Sequence, residues 1–203
     1  MLRLIAALFA AIALTAGVAE AHAEQTLVFL RHGEKPALGM GQLSCQGLNR
    51  ALALPPVLLA KFGIPSAIYA PDPGYKAKDK GIEYNYVRPL ATIEPTAISL
   101  GMPVNTKFGL TQIKLLEQDL LKPDNSAATI YVAWEHNLAQ QSVQQIIDAA
   151  GSHMQVPRWA ADDYDSLYVL RLKWQSGKPI LSNFKIEAEG LNGQSGECRG
   201  AHQ

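Results

Sequence analysis

The chain has 203 residues, 48% of them apolar, and its 18 Lys+Arg balance 18 Asp+Glu. That length builds one sizeable core rather than two. The balanced charge leaves no basic surplus for nucleic acid or an anionic lipid surface.

Met1-Leu2-Arg3 is a short positive start, Leu4 to Val18 is an apolar run, and Ala21-His22-Ala23 supplies small residues behind it. This is the three-part pattern of a secretory signal peptide, with cleavage expected after Ala23. The apolar run is short for a spanning helix, which needs about 20 residues. Residues 1–23 are therefore read as a signal, 24–190 as the folded domain and 191–203 as a C-terminal tail. The expected location is periplasmic or secreted, with no stable membrane insertion after cleavage. The only cysteines are Cys45 and Cys198. In an exported chain an even count points to a bridge rather than to free thiols.

Gln25 to Leu30 reads as a buried strand that stops at the polar run Arg31-His32-Gly33-Glu34-Lys35-Pro36. Ser44 is a candidate cap for a helix starting near Cys45, which Pro55-Pro56 should kink or restart. Ser66 to Ala70 is a second strand. Pro71 to Tyr86, with Lys76, Lys78 and Lys80, reads as a long loop. Helical patterns cover Val87 to Leu100 and Thr111 to Leu121, where Ile113, Leu116 and Leu120 share one face. Ala127 to Ala133 is a third buried strand, followed by Trp134-Glu135-His136-Asn137 and a helix from Leu138 to Ala150. Ser166 to Leu172 and Ile180 to Ile186 form a last strand pair, with Gly177-Lys178-Pro179 in the turn.

This alternation predicts a single-domain α/β fold, a three-layer αβα sandwich around a mostly parallel sheet. Ligands in such sheets sit at the carboxyl ends of strands. That rule selects Arg31-His32 and Glu135-His136 together. A neutral imidazole is a good nucleophile towards phosphorus, and arginine offers a planar fork of donors for phosphate oxygens.

Leu30-Arg31-His32-Gly33-Glu34, placed after a buried strand, resembles the histidine phosphatase superfamily, the phosphoglycerate mutase-like proteins. Leu43-Ser44-Cys45-Gln46-Gly47, Tyr69-Ala70-Pro71, Arg88 with Thr92, and Ile130 to His136 match further family segments in order. The resemblance covers most of residues 25–150. It implies that His32 accepts a phosphoryl group, that Arg31, Arg88 and His136 surround the phosphate, and that Gly33 lets the backbone pass close to it. Water then hydrolyses the phosphohistidine, with neither metal nor organic cofactor.

The sequence departs from the family pattern in three places. Arg88 comes only after the long 71–86 loop; Arg50 is its rival, but reads as a surface residue of the first helix. Asn137 stands where one branch has an Asp after the second histidine. No Asp or Glu occurs between Gly101 and Leu116, where another branch finds its acid. Glu135 is then the candidate leaving-group acid if partial burial keeps it protonated. The alternative is a structural carboxylate that orients a neighbouring His or Arg. Asp162, Asp163 and Asp165 read as a solvated turn rather than a metal site. The resulting expectation is an exported phosphatase acting on a small phosphorylated substrate. The alternative is a non-catalytic binder of phosphate ligands on the same fold.

Overall fold

The structure is a computed structural model that describes residues 24–198; the expected signal peptide and the last five residues, His202 included, lie outside the described residues. Its elements are β1 (Glu24–Arg31), α1 (Cys45–Phe62), β2 (Ala67–Tyr69), β3 (Lys76–Asp79), β4 (Ile82–Asn85), α2 (Arg88–Leu100), α3 (Ile113–Leu120), β5 (Thr129–Trp134), α4 (His136–Ala149), β6 (Ser166–Gln175) and β7 (Lys178–Ala188). A one-turn 3-10 helix, Pro123–Asn125, leads into β5.

The main sheet has the order β2-β5-β1-β6-β7. Only β6 runs against the other four strands. β1 and β5 are central and buried along almost their whole length, so both faces must be apolar. Alternate residues separate cleanly. Val28, Leu30, Tyr131 and Ala133 join Leu54, Leu58 and Ile93 of α1 and α2 in one core. Leu27, Phe29, Ile130, Val132 and Trp134 join Leu116, Val143 and Ile147 of α3 and α4 in the other. The expected three-layer α/β sandwich is thus present.

Three local expectations are corrected. α1 continues unbroken through Pro55 and Pro56. Burial of Ala51, Leu54 and Leu58 against the sheet offsets the backbone bonds the prolines cannot make. The 71–86 segment is not a plain loop. It contains the antiparallel pair β3–β4, turned by Lys80 (φ 49°) and Gly81 (φ 87°), both left-handed. The last hairpin turns at Ser176-Gly177 rather than over Gly177–Pro179, again with two positive φ angles.

Within the described residues the segment after β7 is tied to α1. Asn49 Nδ2 donates to the carbonyls of Ser195 (2.9 Å) and Glu197 (2.7 Å). Cys45 and Cys198 are bridged, with Cα atoms 4.6 Å apart. A cross-link this long in sequence removes much unfolded-chain freedom. Replacing both cysteines by serine should cost about 2–5 kcal/mol in urea unfolding. A loss near zero would show that the other contacts of the segment hold it without the bridge.

Candidate active site

β1 and β5 pair in parallel with Arg31 opposite Trp134, so the residues just beyond both strands converge. The His32 N–H donates to the Trp134 carbonyl at 3.2 Å and extends the pairing by one step. This brings His32 beside Glu135 and His136. Arg88 arrives from the first turn of α2. A cavity of about 200 Å³ results, lined by Arg31, His32, Arg88, Glu135 and His136 together with Lys35, Ala77, Lys78, Asp79, Tyr86 and Leu110. The structure therefore brings together all the sequence-selected residues except Gly33.

His32 is 2% exposed. Its Nδ1 lies 2.7 Å from the Gly33 carbonyl. A carbonyl can only accept, so Nδ1 carries the proton and Nε2 keeps the lone pair. Burial, followed by the nearby Arg88 and Arg31 charges, lowers its pKa to about 3, against the raising effect of the Gly33 bond. The ring is neutral at ordinary pH.

Both arginines are held from behind. Arg31 NH1 donates to the carbonyls of Asp163 (2.8 Å), Ala161 (2.9 Å) and Ala160 (3.3 Å), and its guanidinium lies 3.8 Å from the Tyr164 ring centre. Arg88 NH1 donates to Asp79 Oδ2 at 2.6 Å, and its guanidinium lies 4.5 Å from the Tyr86 ring centre. The Tyr86 and Tyr164 rings flank His32, with centroids 5.9 and 6.1 Å away. Sequence reasoning missed both tyrosines and Asp79. Tyr86 lies two positions before Arg88, which was its only local signal; nothing near Tyr164 or Asp79 marks them. The turn read as merely solvated supplies the carbonyls that hold Arg31. Arg31 Nε and Arg88 Nε are both buried and find no acceptor among the described residues.

No family profile matches the sequence, and no curated protein matches it. Solved structures do. The protein histidine phosphatase SixA, complexed with tungstate, superposes with a TM-score of 0.58 at 14% identity, over 81% of this chain and 97% of that one. A mycobacterial glucosyl-3-phosphoglycerate phosphatase gives 0.50 at 16% identity, over 81% and 97% of the two chains. Phosphoglycerate mutase from Plasmodium falciparum gives 0.50 at 16% identity, over 79% and 90%. The fold is that of the histidine phosphatases.

Within this histidine phosphatase fold, three residues have duties other than those expected. Gly33 donates its N–H to Thr92 Oγ1 at 2.9 Å, so that donor is already engaged. A Cβ on Gly33 would lie 2.8 Å from the Gly47 carbonyl oxygen. Glycine is needed there for the approach of α1. Thr92 in turn donates to the Arg88 carbonyl at 2.8 Å, tying the His32 loop to α2.

Glu135 is the N-cap of α4. Its Oε2 accepts from the Leu138 N–H at 3.0 Å and its Oε1 from Asn137 Nδ2 at 3.1 Å. His136 Nδ1 lies 2.5 Å from Oε1, a close approach whose alignment falls outside hydrogen-bond geometry. Burial alone would raise the Glu135 pKa, but His136 and the N–H groups of Leu138 and Asn137 outweigh it and hold the carboxyl at about 2. A carboxyl held this low favours the orienting carboxylate over the acid in the free protein. Glu135→Gln should therefore slow an alkyl phosphate and a nitrophenyl phosphate by similar factors, within about tenfold. A loss confined to the alkyl ester would restore Glu135 as the acid.

Arg50 is not a surface residue; it is 0% exposed. It donates to Glu34 (2.7 Å), Glu189 (2.7 Å), Asp165 (3.0 Å) and Asn192 (3.1 Å), and so points away from any phosphate role. Asp165 is likewise committed to Arg50 and to the backbone of Gly190 and Leu191. Among the described residues, no group of three or more His, Cys, Asp or Glu could hold a metal ion.

Proposed function

We propose that this protein is an exported phosphatase that hydrolyses phosphate monoesters or related phosphoryl compounds through a phosphohistidine on His32. One observation carries the reading. Arg31 and Arg88 each bury an Nε–H with no acceptor among the described residues, and both side chains line the His32 cavity. A buried unsatisfied donor costs about 1–3 kcal/mol, more for a charged group. Phosphate oxygens are the acceptors that a guanidinium pair beside an imidazole fits best.

In the proposed reaction Nε2 of neutral His32 attacks phosphorus as the P–O bond (P–N in a phosphoramidate) to the leaving group breaks. Arg31 and Arg88 neutralise the charge on the transferred group, and the cavity supplies alignment. His136 lines the same cavity, its Nδ1 beside the Glu135 carboxylate. Water then attacks the phosphohistidine, releasing phosphate and returning the neutral ring. With Glu135 ionised, the leaving group departs with a proton from water. That favours substrates with good leaving groups, such as phosphoanhydrides or phosphoramidates. Export is supported by the signal-like N-terminus and by the Cys45–Cys198 bridge. No helix among the described residues is long and apolar enough to cross a membrane.

The test is trapping of an acid-labile phosphoprotein from a labelled substrate, lost in His32→Ala. Phosphate binding without label or turnover for any ester would instead identify a non-catalytic binder.

A further inference from the structure

Asp79 belongs to the β3–β4 hairpin, outside the main sheet, yet its carboxylate sits on Arg88. Arg88 NH1 donates to Oδ2 at 2.6 Å and NH2 to Oδ1 at 3.3 Å. The Gly41 N–H donates to Oδ2 at 2.9 Å. The 39–41 turn is shaped around this group. Gly39, Met40 and Gly41 have φ angles of 77°, 51° and 67°, and a Cβ on Gly39 would overlap the Asp79 carboxyl. The Gly39 carbonyl also accepts from Arg88 NH1 at 3.3 Å. Asp79 and Arg88 are 9% and 2% exposed. A buried, bidentate pair of this kind bears a desolvation cost on both sides, so its surroundings must specify it.

Resting on the reading that Arg88 clamps phosphate, we infer that Asp79 is a built-in counter-anion that weakens the pocket's hold on free phosphate. Phosphate and the Asp79 carboxylate share one guanidinium, and like charges at that range repel strongly in a buried pocket. Arg31, Arg88, Lys35 and Lys78 line the cavity against Glu135, so without Asp79 the lining keeps a cationic surplus that attracts anions. A product held too tightly limits turnover. Asp79 lowers that affinity while keeping Arg88 fixed.

The sign of one measurement separates this role from a merely structural prop. A prop predicts weaker phosphate binding when Asp79 is neutralised; a counter-anion predicts tighter binding. Calorimetry with inorganic phosphate should show Kd at least tenfold lower in Asp79→Asn and Asp79→Ser than in the wild-type mature protein. The inhibition constant of phosphate should fall with it, and kcat and KM should fall together. Unchanged or weaker binding by variants that retain a cooperative melt overturns the inference. Should neither variant fold, carboxyl-carbon NMR of the wild type decides. The Asp79 resonance must shift on phosphate addition, and a resonance that stays still overturns the inference. The binding arm needs no turnover. Tighter binding in the variants, with His32→Ala still active, would sink the nucleophile assignment and leave this inference standing. Absence of phosphate binding in every form would overturn the inference itself.

Discussion

Replacing His32 with alanine should lower kcat on a nitrophenyl phosphate on the order of a thousandfold or more. The reason lies in how the ring is prepared. The Gly33 carbonyl takes the Nδ1 proton and leaves Nε2 as the attacking atom. Burial and two arginines keep the ring neutral down to about pH 3. No other imidazole in the cavity is as buried; His136 is bound up with Glu135 at the start of α4. Because the arginines are anchored independently of His32, phosphate should still bind His32→Ala within a few-fold of wild type. Retained hydrolysis in this variant would end the proposal. The protonation state has its own check. In the free protein, His32 ring resonances should hold neutral-form shifts between about pH 5 and 8. The sign for stability follows from linkage. The folded pKa lies below the ordinary 6.5, so this contribution is complete above 6.5 and is lost as pH falls towards 3. A midpoint near 6.5 would mean that the ring is not enclosed as described.

Arg50→Leu should destabilise the protein by about 3–5 kcal/mol, read as a fall in the urea midpoint. Arg50 is the common partner of Glu34, Asp165 and Glu189. Burial, with Asp165 and Glu34 close by, pushes the Glu189 carboxyl up against the pull of Arg50. Without Arg50 the carboxylates face one another in a closed space. Lysine should not rescue, because one ammonium cannot match a fork that meets several acceptors at once. Activity should fall too, since Glu34 directly follows the Arg31-His32-Gly33 segment. A loss below about 1 kcal/mol would show that the cluster relaxes into solvent and is not a structural hub.

The layered fold was legible because its signals are local. β1 and β5 are short apolar runs, α2 ends at a glycine, and polar residues follow each strand. Strand ends in such a sheet converge, which is why Arg31, His32 and His136 stand out in the sequence. What failed depended on neighbours distant in sequence. Arg50 lies within an ordinary helical pattern, and only the arrival of Glu34, Asp165 and Glu189 from three other segments makes it buried. Lys76 to Asp79 looks like a solvated loop; a left-handed Lys80-Gly81 turn and the Arg88 fork make it a hairpin at the pocket. Glu135 does line the cavity, but its charge state was not readable, because the start of α4 and His136 decide it. Local pattern was enough for the main-sheet strands and their helices, their order and the residues that meet at the strand ends, but not for the β3–β4 hairpin. The tertiary structure alone decided which of these charges are engaged and which donors remain open, because burial and partner distance exist only after packing.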